Sequence, residues 1–377
     1  MKQIVLAHIN SYYLSNKLHE ELVATIATTD ALLEQIVYVP LINVDKDAES
    51  STKRKANVQV VLSACFSKLT RSVWPLKILQ IYQDYKARFR GLNINITHSH
   101  SLISNGIISY LRYRKYKTPY IITVRNTDIN IFLKKSAIFR KLGGKILNHA
   151  SSIVVLSPAY RDQQLKKYID SSLFSNLLPK IHVIPNAVND FWLENSPLQQ
   201  KVIGDTIEII FVGKLRPNKN LKAVISACNI LHSRGKKVRL TICGDGELKE
   251  QLLGQVYEFE FNYLGFINDK EELRKIYNKA HILIVPSFME SFGLVYVEAM
   301  SQGLGVIYTK GQGFDGYFED GIVGYATDPN DHEGIACMVE KISDNFHQIS
   351  TNAIREAQEF SWNNTALKLV KLYRQAI

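Results

Sequence analysis

Glu290 and Glu298 stand eight residues apart in the stretch 282–307, and Lys214 and Lys219 stand five apart in the stretch 213–220. Carboxylates accept hydrogen bonds from hydroxyls and ammonium groups neutralise phosphates, so these four side chains suit a phosphorylated, hydroxyl-rich ligand. The apolar run Ile282, Leu283, Ile284 and Val285 is cut by Pro286, which predicts a buried parallel strand and then a loop. The loop carries Glu290, Ser291, Phe292 and Gly293, and helix-forming residues resume from Leu294 to Met300 with Glu298 among them. The first turn of such a helix offers free N–H groups and a positive dipole end, so main chain at Gly293 and Leu294 would hold a phosphate. Glu298 then suits ribose hydroxyls, and Glu290 the group beyond the phosphates. Lys214, Arg216 and Lys219 follow a strand expected at 207–212 and lead into another helix. That is a second phosphate site, by charge and by main-chain N–H groups.

The order E-S-F-G-L-x-x-x-E-A-M from Glu290 to Met300, with Gly303 and Gly305-Val306-Ile307 behind it, resembles the donor-site signature of retaining glycosyltransferases of family 4. The resemblance implies an α/β chain of GT-B fold, two Rossmann-like domains facing across a cleft, with a C-terminal helix crossing back to the first. Residues 1–190 would form the acceptor-binding domain, 206–360 the nucleotide-sugar-binding domain and 361–377 the returning helix, with 189–205 as linker. Gly213, Lys214 and Lys219 resemble the family's G-R-L-x-x-x-K-G segment, where cations hold the leaving diphosphate, with Arg216 as a further cation. Gly244-Asp245-Gly246 resembles its G-x-G-P turn, and Phe266 and Ile267 the segment lining the base. With Glu290, Ser291, Phe292, Gly293, Leu294 and Glu298, these would bind a UDP- or GDP-linked sugar. No other cofactor and no catalytic metal is implied.

The first half must then supply the acceptor site. Strands are expected at 2–9, 35–42, 93–100, 120–124 and 152–156, and helices at 14–29 and 102–116. Between the first strand and helix, Asn10-Ser11-Tyr12-Tyr13 replaces the family's glycine-rich loop; Tyr12 and Tyr13 contact a sugar acceptor or pack. His98 would mark the inter-domain cleft; His98 and His100, two apart with no third ligand in view, do not make a metal site. Thr123-Val124-Arg125-Asn126-Thr127-Asp128 resembles the family's T-V-H-G-x-D, with Arg125 for histidine and Asn126 for glycine. Arginine cannot act as a base at neutral pH but can hold a phosphate or sugar oxygen by a forked contact, and Asp128 would orient it or an acceptor hydroxyl. The resemblance thus assigns chemistry to Glu290, Arg125, Asp128, Lys214 and Lys219, and acceptor contacts to Tyr12, Tyr13, His98, Arg125 and Asn126.

Length and charge set the outer bounds. At 377 residues, with 46% apolar and 21% charged residues, the chain suits two soluble domains. No apolar run approaches the roughly 20 residues that span a bilayer, and the four cysteines are scattered, without a CxxC pair. A cytoplasmic chain with no cleaved leader is expected, peripheral on the inner face of the plasma membrane at most. Residues 51–150 hold 19 Lys and Arg against 2 Asp and Glu. This one-sided charge fits an anionic membrane, nucleic acid or a generically solvated face, with nucleic acid the least favoured. Helix 71–90 interleaves aromatic and basic residues and either lies on a bilayer or packs on the sheet; segment 45–55 is expected to be an exposed loop. The reading is retaining transfer of a sugar from a nucleotide-diphosphate sugar to a sugar or lipid-linked oligosaccharide in surface polysaccharide synthesis. The alternatives are a nucleotide-sugar epimerase or hydrolase on the same fold, or a nucleic-acid or anionic-surface binder using the basic half.

Overall fold

The computed structural model describes residues 4–15, 17–43, 51–197 and 201–377. Two compact units emerge: the first comprises Met1–Leu156, Arg161–Pro185 and Trp362–Ile377, the second Ser157–Tyr160 and Asn186–Ser361.

In the first unit, mostly apolar runs and one basic edge segment form an eight-stranded sheet of order β3-β4-β2-β1-β5-β6-β7-β8. These are β1 Ile4–Ile9, β2 Leu33–Asn43, β3 Ser51–Lys55, β4 Val58–Ser67, β5 Ile96–Ser99, β6 Tyr120–Thr123, β7 Ser152–Val155 and β8 Ile181–Val183. All pair in parallel except β3 with β4. Strands β5, β6 and β7 are buried at every position, as a parallel sheet covered on both faces requires. The order reverses at β1, so the carboxyl ends of β1 and β5 flank a topological switch point, where ligands of α/β sheets gather.

Three expectations change. The expected loop at 45–55 falls partly outside the described residues, and its end, Ser51–Lys55, is instead the antiparallel edge strand β3. Its charged side chains blunt an edge that would otherwise invite pairing with another chain. Helix 71–90 becomes Trp74–Arg88 and packs through Ile78, Ile81 and Tyr85, leaving Leu76 and Leu79 about half exposed. The segment 189–205 is more than a linker: Asn189 caps the helix Asp190–Glu194, and Trp192 enters the core of the second unit.

The last helix belongs to the first unit as well. Helix Trp362–Gln375 packs on helix Lys17–Thr29, its Tyr373 is fully buried, and Arg374 Nη2 meets Asp30 at 2.5 Å. This is the C-terminal helix returning to the first Rossmann-like unit.

The second unit carries a six-stranded parallel sheet, order β11-β10-β9-β12-β13-β14. Its strands are β9 Thr206–Val212, β10 Lys237–Cys243, β11 Glu260–Gly265, β12 Ile282–Ile284, β13 Gly305–Thr309 and β14 Gly324–Thr327. Phe211, Leu283 and Ile307 are fully buried in one core with Val297 and Met300 of helix Leu294–Ser301. Each such side chain contributes about 1.5–3 kcal/mol by leaving water. Helices start where side chains satisfy their free N–H groups: Asp269 accepts from Glu271 N–H ahead of helix Lys270–Lys279, and Asp331 from Gly334 N–H ahead of His332–Asp344. The order reverses between β9 and β12, and the loops bearing Lys214 and Glu290 leave those two strands.

Candidate active site

In the second unit the main chain is drawn tight beneath the switch point. Gly213 N–H donates to Cys243 O at 3.0 Å and Gly244 N–H to Gly265 O at 2.7 Å. A Cβ on Gly244 would stand 1.9 Å from the carbonyl oxygen of Gly213. A side chain there is excluded, so the turns after β9 and β10 stay in contact and open a pocket of about 620 Å³ above them. Gly213, Lys214, Arg216, Gly244, Phe266 and Ile267 line it, with Leu273 of helix Lys270–Lys279. Thus six of the donor residues expected from sequence share one hollow.

Lys219 and Glu290 meet as a pair. Lys219 Nζ donates to Glu290 Oε2 at 2.6 Å, with side chains 24% and 14% exposed, shielded enough for the attraction to exceed that of a surface pair. Lys219 Cε lies 4.0 Å from where a Cβ on Gly213 would stand, against the wall of the pocket without lining it. Sequence reasoning missed the side chains that hold this pair. Asn218 Nδ2 donates to Met289 O, Phe288 N–H to Asn218 O, and Asn220 Nδ2 to Pro286 O. Gln312 Oε1 accepts from Glu290 N–H at 3.1 Å and Tyr160 Oη donates to Glu290 O at 3.2 Å. An Asn on each side of Lys219 was the available signal, since Asn can tie one loop to the main chain of another.

Gly293 adopts φ +82°, and a Cβ there would strike the Tyr296 ring at 2.3 Å. Helix Leu294–Ser301 therefore begins with no side chain over its first N–H groups, the arrangement an oxyanion needs. Ser291 is half-buried, whereas Phe292 is 1% exposed and packs against Phe314, Tyr317 and Phe360. Phe292 is a core residue, and its expected donor contact is not what its side chain makes. Glu298 is half-buried, and burial pushes its carboxyl up to about 7, with Lys270 drawing it back. Glu298 is not part of the 620 Å³ lining; Lys270 stands three residues before Leu273, which is.

In the first unit, four rings cluster at the ends of β1 and β5. His8 Nδ1 and His100 Nε2 share a hydrogen bond of 3.0 Å, and His8 Nε2 lies 3.0 Å from Gln35 Oε1. His98 bonds Tyr373 Oη at 2.7 Å and Thr123 Oγ1 at 2.8 Å, and its ring stacks on His100 at 4.2 Å. His19 meets His100 edge-on at 5.2 Å. Burial holds His8 at about 4 and His19 at about 3, and keeps His98 and His100 well below the usual value, so the cluster is neutral at pH 7. His8, His98 and His100 each bring a ring nitrogen within 4.8 Å of the others. However, both nitrogens of His8 and of His98 are already bonded to protein, so the set works as a hydrogen-bonded scaffold.

Three acceptor-side expectations narrow here: that for His98 changes, and those for Tyr13 and Asp128 each fall on one of their two alternatives. His98 is 1% exposed with both nitrogens engaged, which makes it a support for its neighbours instead of a surface contact. Tyr13 is buried against Val23, Val37 and Val39, and only Tyr12 of the two tyrosines is half-exposed, its hydroxyl 3.4 Å from Thr127 Oγ1. Asp128 is fully buried and accepts N–H bonds from Leu102, Ile103 and Arg125 at 2.8, 3.0 and 2.9 Å. Burial pushes its carboxyl up to about 6 against those three amides. It orients the Arg125 turn and not an acceptor hydroxyl. Arg125 Nε donates to His100 O at 3.4 Å; burial lowers its guanidinium to about 10, still cationic at pH 7. Asn126 bonds Asn130 one turn on.

Two family models match the chain, Glycosyltransferase Family 4 over residues 24–190 and Glycosyl transferases group 1 over 194–360. An uncharacterized glycosyltransferase of Methanocaldococcus jannaschii is 24% identical over 304 residues, covering 75% of this chain and 76% of that one. Among solved structures, sucrose-phosphate synthase from Thermosynechococcus elongatus superposes with a TM-score of 0.71 at 17% identity, over 99% of this chain and 98% of that one. Anabaena HepE in complex with UDP and glucose gives 0.62 at 16%, over 99% and 100%. With the two models together spanning most of residues 24–360, the chain is a glycosyltransferase of GT-B fold, its first part similar to Glycosyltransferase Family 4 and its second to Glycosyl transferases group 1.

Proposed function

We propose that the second unit binds a nucleotide-diphosphate sugar, UDP- or GDP-linked, and that the enzyme passes the sugar with retention to a sugar or lipid-linked oligosaccharide bound by the first unit. The reading makes it a cytoplasmic, peripheral enzyme of surface polysaccharide synthesis at the inner face of the plasma membrane. The observation that carries it is the Lys219–Glu290 pair at 2.6 Å beside the pocket lined by Lys214 and Arg216. Anabaena HepE, of the same fold, was solved with UDP and glucose, which supports a nucleotide-sugar donor.

Each residue then has a task. Lys214, Arg216 and Lys219 neutralise the diphosphate as its bond to the anomeric carbon breaks, with Gly293 and Leu294 main chain assisting. Glu298 accepts from ribose hydroxyls, Glu290 from a hydroxyl of the transferred sugar, and Gly244, Phe266 and Ile267 border the nucleotide. The acceptor oxygen attacks on the face the diphosphate leaves, and a diphosphate oxygen takes its proton, so no protein base is required. Arg125, cationic and aimed by Asp128, holds a phosphate or sugar oxygen, with Tyr12 and Asn126 beside it.

Turnover of a panel of nucleotide sugars, with thermal stabilisation as the binding readout, tests this. Lys219→Ala and Glu298→Ala should each lose turnover, by roughly 10²–10³ for Lys219, with folding intact. Full turnover in both would refute the assignment, and product formed without any acceptor would indicate a hydrolase.

A further inference from the structure

The first unit carries a surface on which exposed aliphatic side chains alternate with cations. Helices Lys68–Ser72 and Trp74–Arg88 present Leu69 at 85% exposure, with Val73 and Leu76 about half exposed; Lys68 precedes Leu69 and Arg71 follows it, both also exposed. Helix Ala137–His149 begins with Ile138 at 77% exposure, preceded by exposed Lys134 and Lys135. Trp74 packs edge-to-face on Phe139 at 5.0 Å, and Phe139 on Phe132 at 5.1 Å, so these helix starts are neighbours.

Residues 51–150 hold only two carboxylates, Asp84 and Asp128. Asp84 accepts from Tyr38, Ser63 and Arg88, and Asp128 is fully buried. Neither offsets the lysines of this face. Arg140 and Lys141 share a hollow with Asp170 and contribute less.

From these contacts we propose that this face, centred on Leu69, Leu76 and Ile138 with Lys68, Arg71, Lys134 and Lys135, docks on an anionic lipid bilayer. Aliphatic side chains enter the boundary between headgroups and acyl chains while the lysines meet lipid phosphates. Duplex nucleic acid would use the cations but gain nothing from Leu69 or Ile138. The rings that could stack on bases, Trp74, Phe132 and Phe139, are spent on one another. The proposal deepens the peripheral placement above by naming the surface, and rests on that part of the reading alone, not on the donor chemistry.

Sedimentation with phosphatidylglycerol–phosphatidylethanolamine vesicles, and with phosphatidylcholine vesicles, tests it on the full chain. The protein should bind the anionic vesicles and not the neutral ones. Lys134→Gln with Lys135→Gln should weaken binding roughly thirtyfold, and Leu69→Ser with Ile138→Ser at least about tenfold. Melting temperature and turnover with a soluble acceptor should stay unchanged in both pairs. Equal binding to both vesicle types, wild-type binding by either double variant, or displacement of vesicles by a DNA duplex would overturn it. Lys219→Ala should bind vesicles as the parent does, so failure of the donor reading is scored separately.

Discussion

If Glu298 holds the ribose as proposed, donor binding should titrate near neutrality. Its carboxyl is pushed up to about 7 by burial, against the pull of Lys270, and only the ionised form can accept from both ribose hydroxyls. The free protein is then about 90% ionised at pH 8 and about 10% at pH 6, so ligand affinity falls about tenfold between them, or about 1.4 kcal/mol. The sign is fixed: affinity is full above pH 7 and is lost as pH falls through it. Lys270→Ala removes the charge that favours ionisation, so the midpoint moves up. Glu298→Gln removes the titration and leaves weak, flat binding. Calorimetric titration with UDP-glucose and GDP-mannose at several pH values between 6 and 8 reads all three, because the esterified diphosphate does not itself titrate there. A flat profile in the parent, or the parent's slope persisting in Glu298→Gln, would refute the reasoning.

Three further outcomes follow from the same contacts. Gly293→Ala places a methyl 2.3 Å from the Tyr296 ring at φ +82°, and should cost about 1–3 kcal/mol in denaturant unfolding. Acid should open the first unit, because the unfolded chain takes up protons at pH 6.5 that His8 and His19 refuse until about 4 and 3. Their contribution is whole above pH 6.5 and shrinks as pH falls, by about 3 kcal/mol for His8 alone at pH 4. Asp128, held at about 6, acts in reverse, its contribution being lost as pH rises through 6. The histidines together oppose it, and amide protection in β1 and β5, taken relative to intrinsic exchange at each pH, should fall between pH 7 and pH 5; unchanged protection would contradict this. A double-substitution cycle on Lys219 and Glu290 should show a coupling of roughly 1–3 kcal/mol, since their 2.6 Å pair is mostly shielded; additive effects would mean that the pair is solvated.

The strands, loops and helix starts proposed to hold the donor were legible in sequence because their parts are local. A strand, a Pro break, Gly293 and a helix bring their own geometry, and Gly213-Lys214 follows β9 directly, so order along the chain nearly gives order in space. The acceptor side was not, because its contacts depend on strand register. His8 meets His98 across the pairing of β1 with β5, and Tyr373 reaches His98 from 275 residues away. Spacing shows neither. For Asp128 the choice between orienting Arg125 and orienting an acceptor hydroxyl stayed open for a similar reason. Its three amide partners lie on two separate turns, and its burial is a property of the assembled unit. Edge strand β3 escaped notice because Ser51–Lys55 has no apolar alternation; it is a strand through its pairing with β4. Helix Trp74–Arg88 packs through Ile78 and Ile81, as one of its two readings had it, while leaving Leu76 and Leu79 outward.

The proposed chemistry requires that the second unit grip a sugar nucleotide by its diphosphate and ribose. Solving the protein with UDP bound tests it most directly. Diphosphate oxygens should lie within hydrogen-bond distance of Lys219 Nζ and Leu294 N–H, and ribose hydroxyls on the Glu298 carboxylate. UDP seated elsewhere, with Lys219 still bonded to Glu290 and Glu298 untouched, would contradict it.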